Sequence, residues 1–318
     1  MRFLIPQGIG DAIWALMKVE DANRQLDPGG RLEVYIACMD EKSIPEKRAL
    51  DFVSRFKFVD FVSMYAVPKR GQGGAALLPG DIVTKEGYYR YLPDGSTDYQ
   101  GIDCVLLPNA ALERGIRLED WLPQFTINWN VMDSFRFRDE ETREAEKIES
   151  PYVVFFMGSL DGNGIAGHNR DSVWTPENWV ELGERIMDRC GVDIAVVGGK
   201  DDRSYYEKKV APLLRRPWID LIGDRSIGLT YGITRRARFM ISYQSGMGIV
   251  TNYFGTPVGI FWRAKGDSIS PYHYISFEES MASAWADPAM IATGKHLPLI
   301  YGRHGVDYIM EQIEKRNW

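Results

Sequence analysis

The feature that most constrains this chain is a regular series in its second half, where short runs rich in β-branched and aromatic residues alternate with longer amphipathic ones. Tyr152 to Met157, Asp193 to Val197, Asp220 to Ile222, Phe239 to Ser242 and Val258 to Trp262 read as strands. Glu177 to Cys190, Asp202 to Leu214, Ile227 to Arg236 and Met247 to Phe254 read as the helices between them. Strands joined by helical crossovers pair in parallel, because the chain needs a dozen or more residues to return to the same end of a sheet. The series predicts one doubly wound α/β domain. Its first helix has a marked start: Thr175 suits the cap, Pro176 the first turn, and Glu177 the positive end of the dipole.

The first half carries the same pattern less cleanly. Arg2 to Pro6, Leu32 to Ala37, Val59 to Met64 and Asp103 to Leu107 read as strands, and Asp11 to Gln25 as a helix. Pro68 through Gly101 holds Gly71, Gly73, Gly74, Gly80, Gly87 and Gly95, more glycine than a packed element tolerates, and is expected to be a long surface excursion. Either a binding lid or a plain insertion fits it. From Phe135 to Ser150 the chain turns charged, which predicts a solvated helix or linker and a domain boundary. The 318 residues then divide into 1–145, 146–300 and a terminal helix within 301–318. That helix has an apolar stripe at Val306, Ile309, Met310 and Ile313 and is expected to pack back on the first half.

Composition excludes several classes. A net charge of -6 gives no global attraction to nucleic acid, so any such contact needs a local basic patch. The cysteines Cys38, Cys104 and Cys190 are odd in number and lie in or beside apolar runs, which predicts free thiols in a reducing compartment. The histidines His168, His273, His296 and His304 show no zinc-ligand spacing, so no metal or other cofactor is expected. No run approaches the ~18 apolar residues of a membrane span, and the opening Met1 to Gly8 is too short for a signal peptide. A cytoplasmic protein is the expectation.

Three segments are suited to ligand chemistry. Gly8-Ile9-Gly10-Asp11 follows a strand and opens a helix, where bare amides face a ligand. Ile13 stands where a dinucleotide fingerprint needs its third glycine, so nicotinamide and flavin enzymes are disfavoured. Asp11 there is either a general base or a helix cap. The strand-end loops Gly158-Ser159 and Gly198-Gly199-Lys200 lie where open parallel sheets bind ligands, and they equally suit tight turns. Between them, Asp161 to Asn169 reads as a loop that orders on binding. Gln244-Ser245-Gly246-Met247 puts a hydroxyl and bare amides at a helix start, which suits a diphosphate or a tight strand-to-helix turn without a ligand.

In their order along the chain these segments resemble a known family. The stretch Tyr152 to Trp262 resembles the nucleotide-binding half of the glycosyltransferase family that contains the bacterial ADP-heptose:lipopolysaccharide heptosyltransferases. The resemblance rests on Gly158-Ser159, Arg170 to Trp174 with Trp179, and Val197-Gly198-Gly199 with Asp201-Asp202. It extends through Leu221-Ile222-Gly223 and Gln244-Ser245-Gly246 to Gly255-Thr256-Pro257-Val258, and Gly8 to Ile13 is similar to the family's first Gly-Asp turn. It implies a GT-B fold, two Rossmann-like doubly wound domains facing across a cleft, with a nucleotide sugar held by the second. It also implies an inverting, metal-independent transfer with Asp11 as general base. Ser172 stands where the family commonly has lysine, which leaves Arg170 or Lys200 to offset phosphate charge. Gln244 replaces the family's aspartate and Ile249 its histidine, and these departures point to a donor sugar other than heptose.

The donor site expected from these readings comprises Gly10, Ser159, Arg170, Gly198, Gly199, Lys200, Gln244, Ser245, Gly246 and Met247. The acceptor side takes in Trp14, Lys69, Arg70 and Tyr89. A cell-envelope saccharide is the expected acceptor. Two alternatives stay open: a hydroxymethylated pyrimidine in DNA, as in phage DNA modification, with Lys69-Arg70 and the nearby tyrosines as contacts, and a sugar-nucleotide-binding protein without turnover.

Overall fold

A computed structural model of the chain describes residues 1–38, 44–66, 88–90, 101–106, 108, 117–158, 174–243, 245–262, 287–300 and 304–318. The chain divides into two compact α/β units, Met1–Arg136 and Phe137–Trp318.

In the first unit, β1 (Arg2–Ile5) runs into helix α1 (Ile9–Leu26), then β2 (Glu33–Cys38), α2 (Ile44–Val53), β3 (Phe61–Ala66), β4 (Tyr88–Arg90) and β5 (Cys104–Leu106). The strand order is β3-β2-β1-β5-β4. All pairs are parallel except β4 with β5, which run antiparallel with Tyr89 opposite Val105. Two elements here differ from the sequence reading. Tyr88–Arg90 extends the sheet from within the expected excursion, and α2 occupies a span with no expected helix.

α1 is the backbone of this unit because one polar stripe on it holds a loop in place. Lys18 is only 1% exposed, and its ammonium donates to the carbonyls of Trp121 and Leu122, the latter at 3.1 Å. Leu122 has φ 53, the left-handed region in which a leucine is strained, so the ammonium braces an unfavourable turn. One turn on, Asp21 accepts from the Thr126 amide at 2.7 Å and from Gln25 at 2.7 Å. Burial pushes Lys18 down to about 8, against the opposing pull of Asp120, Asp21 and Glu119.

The second unit begins with α3 (Asp139–Glu146) and continues through β6 (Tyr152–Phe156), α4 (Pro176–Cys190), β7 (Asp193–Gly198), β8 (Ile219–Ile222), α5 (Ile227–Thr234) and β9 (Met240–Tyr243). It closes with α6 (Gly246–Tyr253), β10 (Val258–Trp262), α7 (Pro288–Ala292), β11 (His296–Ile300) and α8 (Val306–Arg316). Between β7 and β8 the chain winds through 3-10, α, π and 3-10 turns from Lys200 to Leu213. The six strands, all parallel, lie in the order β11-β10-β9-β6-β7-β8. β11 is one strand more than the sequence reading expected.

The core of this unit is aromatic. Trp179 on α4 packs against Phe155 at 5.1 Å and Tyr243 at 5.5 Å between ring centroids, and its Nε1 donates to the Tyr243 hydroxyl at 3.4 Å. The start of α4 is as expected: Thr175 Oγ1 accepts from the Asn178 amide at 3.3 Å, and Pro176 opens the helix.

The division between the units, Arg136 to Phe137, lies inside the Phe135 to Ser150 stretch, ahead of the expected 145/146 cut, so the charged residues that follow it belong to the second unit. They form α3 of the second unit, because Glu141 is buried there and accepts from the Arg138 amide at 3.0 Å and from the Ser226 hydroxyl. α8, expected against the first half, buries Val306, Ile309, Met310 and Ile313 in the second unit's own core and is paired to α4 by Arg185–Asp307 at 2.7 Å. Cys38 and Cys104 are buried and Cys190 is half-buried. No helix among the described residues is long and apolar enough to cross a membrane.

Lys18 yields a test. Its folded pKa lies below the ordinary 10.5, so between pH 8 and 10.5 the unfolded chain holds a proton that the folded chain has released, and stability rises with pH across that window. The rise amounts to about 3 kcal/mol, and the penalty is felt in full below pH 8. Urea unfolding of the wild type and Lys18→Met from pH 7 to 10.5 should show the gap between them shifting by that amount. A gap independent of pH would overturn the account.

Candidate functional site

In the first unit β1 lies centrally between β2 and β5, and the Gly8–Asp11 turn leaves its carboxyl end. Gly8 is the N-cap residue of α1, Gly10 is in its first turn, and Asp11 is the acidic residue of that turn. The Asp11 carboxylate folds back over Gly8, so a β-carbon at residue 8 would lie 2.7 Å from its Oδ2. Gly8 thus clears space for the carboxylate. Trp14, one turn on, is 3% exposed and belongs to the core.

In the second unit the first strand of the series, β6, has β7 on one side and β9 on the other. The chain winds away from β6 in both directions, and the carboxyl ends of β6 and β9 bound the switch point at which open sheets of this kind receive ligands. Gly158, Gly198, Gly199, Lys200, Ser245, Gly246 and Met247 all stand at carboxyl ends of β6, β7 and β9. The expected donor residues Gly198, Gly199, Lys200, Ser245, Gly246 and Met247 thus share one edge of one sheet with Gly158, while Gly10 belongs to the first unit.

Their local chemistry differs between the two sides of β6. On the β7 side the space above Gly158 and Gly198 is already filled. A β-carbon at Gly158 would meet the Asp202 carboxyl atoms at 2.4 to 2.5 Å, and one at Gly198 would meet Asp202 Oδ2 at 2.9 Å. The same Oδ2 accepts from the Gly199 amide at 2.8 Å. Small residues here suit either ligand contact or a tight turn, and among the described residues it is the Asp202 carboxylate of the turn that packs on them. The next residue, Arg203, ties the end of β8 by donating to Asp220 Oδ2 at 2.5 Å and to the Ile222 carbonyl.

On the β9 side no acceptor for the Gly246 and Met247 amides is found among the described residues. Ser245 caps α6, its hydroxyl accepting from the Gly248 amide at 3.4 Å and its carbonyl from the Ile249 amide at 3.2 Å. The Gly246 and Met247 amides have no acceptor within the helix, so the positive end of α6 presents them outward. Gly248 lets α6 lie close on β9: a β-carbon there would stand 2.9 Å from Ser242 Oγ.

Behind α6 lies a layer of buried hydroxyls. Tyr231, fully buried on α5, donates to the Gly246 carbonyl at 3.2 Å. Thr251 donates to Thr234 at 2.9 Å, Thr256 to the Thr234 carbonyl at 3.4 Å, and Tyr152 to the Ile233 carbonyl at 2.7 Å. Burial pushes the Tyr231 phenol far above its ordinary range and Tyr152 up to about 12, so both remain proton donors. Nothing in the sequence singled these hydroxyls out, because they act from the core.

Ser159, Arg170, Gln244, Lys69 and Arg70 lie outside the described residues, as do the loop at Asp161 to Asn169 and Ser172. Among the described residues no group of His, Cys, Asp and Glu side chains is arranged to hold a metal ion.

Two Rossmann-like α/β units in one chain are the two-domain architecture of the GT-B class. The chain is similar over 99% of its length to a glycosyl transferase family 9 structure from Veillonella parvula (TM-score 0.57, 11% identity, 96% of that chain covered). It is similar over the same share to E. coli ADP-heptose lps heptosyltransferase II (TM-score 0.58, 12% identity, 97% covered) and to E. coli heptosyltransferase WaaC with ADP (TM-score 0.56, 14% identity, 100% covered). At these identities the likeness is one of fold. No protein-family model matches the chain, and no curated protein matches it in sequence.

The Asp202 seat can be tested by stability alone. Gly158→Ala presses on a whole carboxyl group and should cost about 1–3 kcal/mol. Asp202→Ala placed on top of it should restore most of that loss, giving a coupling well outside additivity in urea denaturation. Additive losses would show that the carboxylate is not seated on Gly158.

Proposed function

We propose that this protein is a glycosyltransferase that moves a sugar from a nucleoside-diphosphate sugar to an acceptor hydroxyl with inversion, and that a cell-envelope saccharide is the acceptor. The observation that carries the proposal is the amide end of α6 at the switch point of the second unit, in a chain with a GT-B fold. Free amides with a capping serine suit a diphosphate, and the likeness to a heptosyltransferase structure that holds ADP supports that ligand class.

The chemistry follows from charge balance. Asp11 takes the proton of the acceptor hydroxyl as its oxygen bonds to the anomeric carbon, while the bond from that carbon to the diphosphate oxygen breaks. Negative charge moves onto the leaving nucleoside diphosphate, where the Gly246 and Met247 amides stabilise it together with Lys200 or Arg170. None of these steps requires a metal ion.

A mass-spectrometric screen of nucleotide sugars, with lipopolysaccharide core and with hydroxymethylated DNA as acceptors, tests this. The wild type should transfer sugar to the saccharide, and Asp11→Asn should slow transfer by about 10²–10⁴-fold while nucleoside-diphosphate binding persists. Transfer to DNA would replace the acceptor assignment. Full activity in Asp11→Asn would remove Asp11 as base, and donor binding without transfer to any acceptor would favour a binding protein.

A further inference from the structure

We propose that Tyr231 is a positioning residue for the diphosphate site: its buried hydroxyl aims and strengthens the Met247 amide at the start of α6. The inference rests on the donor reading above and adds a residue that touches no ligand.

The Gly246 carbonyl and the Met247 N–H belong to one rigid planar unit and point in opposite directions, so whatever fixes the oxygen fixes the N–H. Tyr231 donates to that oxygen at 3.2 Å from a ring that is fully buried and packed against Phe254 at 5.8 Å between centroids. Helix geometry already gives the Gly246 carbonyl the Val250 amide as a donor, so the carbonyl does not need the phenol for its own satisfaction. A second donor on the oxygen draws electron density through the amide and makes the Met247 N–H a better donor.

The placement is specific to the ligand end. Thr251 ties the later part of α6 to Thr234, and the Gly248 and Ile249 amides are spent on Ser245. Met247 and Gly246 are the two amides that helix geometry leaves for an anion, and Tyr231 holds the plane that contains the first of them.

Y231F removes the hydroxyl and keeps the ring. Calorimetry with pyrophosphate, ADP and UDP, and with adenosine and uridine, should show Y231F weakening the phosphate ligands the wild type binds by roughly fivefold, with nucleoside affinity unchanged. In the ligand-free protein the Met247 amide proton should move upfield in the 15N-correlated spectrum. Phe254→Leu, which disturbs packing beside the same ring, should lower thermal stability and leave the phosphate-to-nucleoside ratio as in the wild type. The proposal is overturned by an unmoved Met247 resonance, by equal losses for nucleosides and phosphates, or by the same selective loss in Phe254→Leu. If the wild type binds neither pyrophosphate nor a nucleoside diphosphate, the donor reading fails and this one with it.

Discussion

Parallel pairing with the first strand of the series in the middle is the constraint on which the second unit depends. Because β6 lies between β7 and β9, the chain must wind outward from it on both sides, and the loops that leave β6 and β9 part at one place. The sheet can hold that arrangement only if it is covered on both faces, and the aromatic cluster around Trp179 does so on one of them. Tyr243 links the two levels: its ring packs on Trp179 within the core, its hydroxyl donates to the Trp174 carbonyl at 3.3 Å, and two residues later the chain reaches the Ser245 cap.

The carboxyl edge of this sheet is polar in an uneven way. Where β6 and β7 end, a carboxylate already sits on two glycines and consumes an amide; where β9 ends, a helix start offers amides with nothing from the helix to accept them. The carboxylate and the helix-start amides thus lie on opposite sides of β6. Small residues alone do not make that distinction, since Gly158, Gly198 and Gly246 look alike in a sequence and serve different ends.

Sequence periodicity was a good guide wherever burial dictated it. The strands and the long helices of the second unit were legible because β-branched and aromatic runs such as Tyr152–Phe156 have few other places to go. β11 was hidden by Pro298, which argues against a central strand; at the sheet edge, beside β10 alone, a proline is tolerated. The helix α3 falls where a solvated helix or linker is expected, but its burial is not legible, because a carboxylate such as Glu141 reads as solvated until its partners are known. The Gly8–Asp11 turn and the Ser245 cap could be found from residue type and order. Asp202 and Tyr231 could not, since one depends on two strand ends meeting and the other on a hydrogen bond to a carbonyl fifteen residues away.

The hydroxyl layer behind α6 has a consequence for temperature. Apolar contacts weaken on cooling, because the free energy of burying hydrocarbon surface falls away as water becomes colder. The bonds from Tyr231, Thr251 and Thr256 join hydroxyls to carbonyls or to one another and do not draw on that surface. The amide end of α6 is thus fastened by the kind of interaction that survives cold, and its geometry should outlast the loosening of the aromatic core as temperature drops.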